Sequence, residues 1–434
     1  MTHLPRRVAI VGGNRIPFAR SNTAYTSASN RDLLTAALQG LIDRFQLQGQ
    51  RLGEVAGGAV MKHSRDFNLV REAVLSTTLS PQTPAFDLQQ ACGTGLEAAI
   101  LVANKIALGQ IECGIACGSD TTSDAPISLN DGLRRTLLDI GRARSGWQKA
   151  QRAWRIRPGQ LFRPELPRNA EPRTGFSMGE HAELMAQQWD ISRHDQDQLA
   201  LQSHQNLAAA YDSGFFNDLI TPCLGLKADN NLRRGLTAEQ LAQLKPAFDR
   251  QVAPGQGTLT AGNSTPLTDG ASAVLLASED WAARQGLPVL AFLTFSEVAA
   301  VDFCHPDPSQ REGMLLAPAY AVPRMLERAG LRLQDFDLYE IHEAFAAQVL
   351  CTLKAWEDPV FCRDKLGLDR PLGPIDRQKL NVNGSSLAVG HPFAATGTRI
   401  LPTLAKLLSQ RGGGRGLISI CAAGGQGVVA MVEK

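Results

Sequence analysis

Two cysteines and two histidines stand at the ends of expected elements: Cys92 in QQACGTG and His342 in LYEIHEAFAAQ where strand-like segments hand over to helices, His391 in AVGHPFAATG just before a helix, and Cys421 in CAAGGQG where a strand meets a glycine-rich turn. A thiol at a helix start meets unpaired backbone N–H groups and the positive end of the helix dipole, which stabilise a thiolate; a lowered pKa and a nucleophilic role follow for Cys92. Gly93 and Gly95 leave its backbone open to the close approach of a ligand. A buried structural cysteine is the competing reading. His391 precedes Pro392, expected at the first helical position, and a helix N-terminus disfavours the imidazolium, so a neutral ring could accept a thiol proton. Cys421 ends an expected strand before Ala422-Ala423-Gly424-Gly425, whose backbone N–H groups could face a ligand oxygen. His342, beside Glu343, sits at a strand-to-helix junction, where a capping role competes with a chemical one.

The elements that must position these groups are legible in outline. Arg7 to Ile16 reads as a buried strand ending near Gly12-Gly13, and Arg31 to Phe45 as a helix. Pro84 to Leu88 reads as a strand leading into Cys92. The helix that follows carries Leu96, Ile100, Ala103 and Ala107 on one face, stops at Gly109, and gives way to a strand, Gly114 to Cys117. The C-terminal part repeats this plan. His391 precedes a helix with Phe393, Gly397, Ile400, Leu404 and Leu407 on one face, kinked at Pro402, and then a strand, Leu417 to Cys421. The unit from Cys92 to Gly118 spans 26 residues and that from His391 to Ala422 spans 31, so an internal duplication is expected. Residues 123–253 differ in character, with few strand patterns, many Arg, Gln and Pro, and a clear helix over Ser192 to Asp212; they read as an insertion.

Composition excludes several classes. The 44 basic and 42 acidic side chains leave a net charge of +2 on 434 residues, which points away from nucleic acid or an acidic polymer as partner. No apolar run approaches the ~18 residues of a membrane span, and residues 1–20 lack the apolar core of a signal peptide, so a cytoplasmic location is expected. The eight cysteines lack the paired spacing of a zinc site or a disulfide framework; no metal is expected, and most of them read as small buried apolar residues. The glycine-rich turns lack G-x-G-x-x-G spacing, which disfavours a dinucleotide site.

One segment breaks the even charge distribution. From Leu133 to Pro158, eight basic residues face a single acid, Asp139, and Leu133, Ile140, Trp147 and Trp154 recur every seven residues. A broken helix with these four on one side and arginines around them would suit an anionic membrane surface or a partner protein; a solvated helical face is the alternative.

Taken together, QQACGTG, HEAFAAQ, VGHPFAATGTRI and CAAGGQG resemble, in order, four motifs of the thiolase family, and SMGEHAE (177–183) and AGNSTPLTDGAS (261–272) add two more. The resemblance covers essentially the whole chain. It implies an α/β protein with a duplicated five-layer αβαβα core: residues 1–122 and 254–285 as the N-terminal half, 286–434 as the C-terminal half, and 123–253 as a loop domain covering coenzyme A. Cys92 is then the acyl-thioester nucleophile, His391 the base that activates it and part of an oxyanion site, and Cys421 the acid/base. His342 belongs to an oxyanion site, the backbone N–H of Ala423 stands where a glycine is more usual, and Met178 and Thr265 line the pantetheine tunnel. Coenzyme A is a substrate, with no permanently bound cofactor.

His342, where most of the family has Asn, is similar to the subgroup of the trifunctional-enzyme β subunit and bacterial long-chain 3-ketoacyl-CoA thiolases. That subgroup implies 3-ketoacyl-CoA cleavage in β-oxidation, a homo-oligomer (dimer or tetramer), and either a hydratase/dehydrogenase partner subunit or peripheral membrane contact through 133–158. The alternatives are condensation of acetyl-CoA to acetoacetyl-CoA, and a non-catalytic acyl-CoA or lipid carrier on the same fold. A ketoacyl synthase is the nearest enzymatic rival, and it has no need of a second cysteine at the place of Cys421.

Overall fold

The computed structural model describes residues 5–434. Its strands are β1 (Val8–Arg15), β2 (Ala19–Arg20), β3 (Glu54–Gly58), β4 (Ala85–Asp87), β5 (Cys113–Asp120), β6 (Thr268–Ser278), β7 (Ala291–Ala300), β8 (Leu338–Ile341), β9 (Arg415–Ala422) and β10 (Gln426–Glu433). They form one path, β4-β3-β5-β6-β1-β7-β10-β9-β8, with β2 pairing β6. Four strands on each side of this path correspond, β3-β5-β6-β1 with β8-β9-β10-β7, and β4 extends the N-terminal side by one. The pair β3–β5 is parallel, as is β8–β9; β5–β6 and β6–β1 are antiparallel, as are β9–β10 and β10–β7. The halves meet where β1 and β7 pair antiparallel through Val8↔Leu293, Ala9↔Phe292 and Ile10↔Ala291. The duplication read from segment lengths is thus a duplication of topology.

Most strands, such as β1, β5, β6 and β9, are buried on both faces and do not alternate, whereas β7 is exposed or half-buried over most of residues 294–300. Between the two half-sheets lies a central core in which Leu96, Ile100 and Ile106 of helix Thr94–Ala107 meet Ile400, Leu404 and Leu408 of helix Thr396–Arg411. An outer core packs helix Asn30–Phe45 on the N-terminal half, and another packs Pro318–Ala329 and Ala346–Glu357 on the C-terminal half. This gives five layers, αβαβα. Helix Thr396–Arg411 runs unbroken through Pro402, whose ring packs on Gly13, where an added Cβ would meet Pro402 Cγ at 2.5 Å.

Residues 121–267 hold no strand, only helices and isolated bridges. The longest helix, Arg193–Asp212, is capped by Ser192, whose hydroxyl accepts the N–H of Asp195. A buried ion pair pins this region to the core: Arg15 on β1 bonds Asp229 through two N–H groups at 2.6 and 2.7 Å, and Tyr211 donates to the same carboxylate at 2.7 Å. The basic segment forms two short helices, Asp131–Gly141 and Gly146–Ala153. The expected one-sided stripe does not hold. Leu133 turns inward (3% exposed), while Trp147 and Trp154 stand out at 73% and 92%, because the break at 142–145 ends the heptad register. No helix among the described residues is long and apolar enough to cross a membrane.

Candidate active site

Cys92 is presented by a tight turn between β4 and helix Thr94–Ala107. Ala91 adopts φ +46°, a left-handed conformation costly for a residue with a Cβ. It is held there by Thr94, whose hydroxyl donates to the Ala91 carbonyl at 2.7 Å and accepts the Gln90 N–H at 2.8 Å. The helix begins after Gly93, so Cys92 lies outside its first turn. Two expectations fail at this point. Burial pushes the Cys92 thiol up to about 12 instead of down; the Ala423 N–H that bonds it offsets only part of that, and the Asp120 carboxylate adds to the rise. Gly93 and Gly95 face protein rather than ligand: added Cβ atoms would meet Val428 Cγ2 at 2.7 Å and the Ala394 carbonyl at 2.5 Å. They are small because two neighbouring segments press against the nucleophile turn.

His391 reaches the thiol from the other half. Its Nε2 lies 3.0 Å from Cys92 Sγ, its Nδ1 lies 2.6 Å from Thr396 Oγ1, and its backbone N–H donates to Thr268 Oγ1 at 2.7 Å. Burial, then the charge of Arg399, brings its pKa down to about 3, so imidazole and thiol are both neutral at rest. Pro392 does not open the long helix. It flanks a three-residue 3-10 turn, Phe393–Ala395, and the helix proper starts at Thr396. Phe393 consequently leaves the expected helix face and sets its edge on the His391 ring, centroids 5.3 Å apart. The turn is anchored by Asp120 at the end of β5, which accepts the N–H of Ala394 at 2.8 Å and those of Val60 and Met61.

His342 follows β8, and its ring centroid is 4.1 Å from that of His391. Its Nδ1 is 2.8 Å from Ser386 Oγ, while its buried Nε2 has no partner in the protein. Burial, then His391 and Arg399, hold its pKa well below the usual histidine range. Cys421 closes β9 almost fully buried; burial, and then Cys92, push its thiol well above the usual value. The charge of Cys92 reaches the Cys421 thiol, which places the two sulfurs near one another.

The structure therefore brings together Cys92, His342 and His391, whose side-chain ligating atoms lie within 4.8 Å of one another, and sets Cys421 and the Ala423 N–H beside them. The same three atoms could hold a soft metal ion, which the sequence did not lead us to expect. Of Met178 and Thr265, Thr265 lies on the segment that runs past the cluster, two residues before Leu267, which bridges to His391, and its N–H donates to the Ala344 carbonyl at 3.2 Å. The Thr265 hydroxyl donates to the Ala344 carbonyl at 2.8 Å, and Thr265 lines a cleft of about 260 Å³ with Arg20, Arg233, His204, Phe248 and Leu387. Met178 opens helix Met178–Gln188, and its neighbour Gly179 lies under the Phe248 ring, which an added Cβ would meet at 2.2 Å. Thr396, Thr268, Ser386 and Arg399 were not singled out from sequence, although Thr396 and Arg399 lie inside the VGHPFAATGTRI motif and Thr268 inside AGNSTPLTDGAS; Ser386 alone lies outside every motif.

The family description "Thiolase, N-terminal domain" matches residues 8–280, and "Thiolase, C-terminal domain" matches residues 295–434. The chain belongs to the thiolase family. It is 42% identical to a 3-ketoacyl-CoA thiolase of Yersinia pestis (strain Pestoides F) over 433 residues, 98% of this chain and 97% of that protein. Among solved structures it is similar over the full length of both chains to human mitochondrial 3-ketoacyl-CoA thiolase (29% identity, TM-score 0.80). It is equally similar in shape to the Bacillus anthracis acetyl-CoA acetyltransferase (30% identity, TM-score 0.80, both chains fully covered). As a thiolase the protein is an acyltransferase, and the reading of fold and family from the six motifs holds.

Proposed function

We propose that the protein cleaves 3-ketoacyl-CoA with coenzyme A to acetyl-CoA and a shortened acyl-CoA in fatty acid β-oxidation. The observation that carries this reading is the 3.0 Å contact between Cys92 Sγ and His391 Nε2, with a second thiol and a partnerless imidazole nitrogen beside it. Cys92 sulfur attacks the 3-keto carbon as His391 takes its proton, so the thiolate need exist only during attack. The oxyanion so formed is held by the backbone N–H groups of Cys92 and Ala423. Its collapse breaks the C2–C3 bond, and the electron pair passes into the enolate of acetyl-CoA. His342 and the protonated His391 hold the enolate oxygen while Cys421 delivers a proton to C2. Coenzyme A then enters and gives its thiol proton to Cys421. Its thiolate takes the acyl group, and Cys92 recovers its proton from His391.

Coenzyme A acts here as substrate, with no resident cofactor. Residues 123–253 cover it, and the cleft at Thr265 admits its pantetheine arm, with Met178 behind Phe248. Arg20 and Arg233 at that cleft suit the phosphates of the nucleotide end. Parent enzyme should consume a 3-ketoacyl-CoA, followed as loss of its enolate absorbance, only when coenzyme A is present. Full activity in Cys92→Ser would overturn the assignment. Condensation of two acetyl-CoA molecules runs through the same steps reversed, and a panel of C4 to C16 substrates orders the two uses.

A second surface supports association. Trp147, Trp154 and Phe162 are 73%, 92% and 82% exposed amid the arginines of 133–163, a composition suited to an anionic lipid surface. We assign this face to peripheral membrane contact in the cytoplasm. Flotation with anionic liposomes that is lost in the Trp147→Ser/Trp154→Ser variant fits; no flotation of the parent leaves the face to a hydratase/dehydrogenase subunit or to no partner. Assembly as at least a dimer, drawn from the family resemblance, is checked by light scattering.

A further inference from the structure

Behind His342 lies a chain of hydrogen bonds whose direction is fixed by its first member. Arg399, 4% exposed on helix Thr396–Arg411, places an N–H group 3.0 Å from Ser386 Oγ, and Ser386 Oγ lies 2.8 Å from His342 Nδ1. A guanidinium can only donate, so the serine oxygen accepts from it. Among the described residues the serine hydroxyl has one acceptor left for its own proton, His342 Nδ1. Nδ1 must then be unprotonated, and the proton of the neutral ring sits on Nε2. That is the buried nitrogen without a protein partner. His391 is arranged the opposite way: its Nε2 faces the Cys92 thiol, which needs a lone pair there, and its Nδ1 proton goes to Thr396 Oγ1.

We propose that Arg399 and Ser386 are positioning residues that lock His342 in the Nε2–H form, making it a standing donor to the enolate oxygen, a claim that rests on the thiolase reading of the site. Several features are hard to explain as packing alone. Arg399 is a buried cation with no carboxylate within 4 Å among the described residues; Glu340 and Glu343 act on it only from a longer range. A buried unpaired cation is costly, and an apolar side chain would fill that volume at less expense. The turn that carries Ser386 is itself fixed. Glu343 accepts the Leu387 N–H at 3.1 Å and the Ser203 hydroxyl at 2.7 Å, and the Ser203 hydroxyl accepts the Ser385 N–H at 3.1 Å. The oxygen that orients His342 is therefore held from two sides, by Glu343 through the turn and by Arg399 directly.

The two halves of the reaction separate this role from a structural one. Carbon–carbon cleavage passes through the enolate; exchange of labelled coenzyme A into an acyl-CoA needs Cys92, His391, Cys421 and the Ala423 N–H but no enolate. Ser386→Ala should slow cleavage by about 10²–10³-fold while changing exchange by less than about threefold, and Ser386→Thr, which restores a hydroxyl, should recover most of the loss. Arg399→Lys, which keeps a charged donor with different geometry, should fall between. In protein labelled with [15N]histidine, the parent His342 should give the pattern of a neutral Nε2–H ring, and Ser386→Ala a mixture of the two neutral forms. Equal loss of cleavage and exchange, unchanged cleavage in Ser386→Ala, or an Nδ1–H ring in the parent would each overturn the proposal. A parent enzyme with neither cleavage nor exchange would instead overturn the thiolase reading beneath it.

Discussion

Removing the imidazole of His391 tests how the nucleophile is armed. With His391 near 3 and Cys92 near 12, neither member of the dyad titrates between pH 7 and 9. Asp120, the carboxylate that acts on the thiol, is brought up to about 6 by burial and lies below that window. Alkylation of Cys92 by iodoacetamide in the parent should therefore run at a nearly constant rate from pH 7 to 9, the imidazole taking the proton as the bond forms. In His391→Ala the reaction must wait for free thiolate, which for a group at about 12 is about 10⁻⁵ of the total at pH 7. The rate at pH 7 should fall by about 10²–10⁴-fold, the usual worth of a positioned base, and should climb about tenfold per pH unit. The assay is the time course of carbamidomethylation at the Cys92 peptide by mass spectrometry. A parent profile that itself climbs tenfold per unit from pH 7 would refute the neutral-dyad argument, as would a variant whose profile is as flat as the parent's.

Further outcomes follow from the same geometry. Cys421→Ala should abolish turnover while Cys92 stays alkylatable at the parent rate, since Cys421 serves the substrate and not the nucleophile; a proportional loss of both would assign it to arming Cys92. Asp229→Ala strands the buried Arg15 guanidinium and should cost about 3–5 kcal/mol in urea unfolding, with Tyr211→Phe costing far less. Gly397→Ala puts a Cβ 2.2 Å from the Leu96 backbone nitrogen, where the two central helices touch. It should destabilise by about 1–3 kcal/mol, and an unchanged denaturation midpoint would mean that the central layer yields.

The parts of this protein legible in sequence are those written locally. A turn and a helix start after Cys92 and after His391, each followed by a strand, mark both halves, and the 26- and 31-residue units foretell the matched strand orders. What escaped depends on residues that meet only in the fold. The helix-start argument lowered the Cys92 pKa because it weighed a local dipole; burial between the half-sheets is a tertiary effect, and it wins. Gly93 and Gly95 read as a ligand approach because Val428 and Ala394, hundreds of residues away, were not in view. Ser386 lies 44 residues from His342 in a turn without a chemical signature, and Arg399, although inside the VGHPFAATGTRI motif, shows no role until the fold sets it beside Ser386. The seven-residue repeat of Leu133, Ile140, Trp147 and Trp154 failed for the reverse reason, since a local break at 142–145 cut a pattern that counting alone had joined.

The central claim is that the acyl group rides on Cys92. Parent enzyme mixed with a 3-ketoacyl-CoA in the absence of coenzyme A, quenched in acid within the first turnover and mapped by mass spectrometry, should carry an acyl group two carbons shorter than the substrate on the peptide containing Cys92. One equivalent of acetyl-CoA should appear in solution. Release of acetyl-CoA with Cys92 unmodified, or with the acyl group on Cys421, would contradict the account.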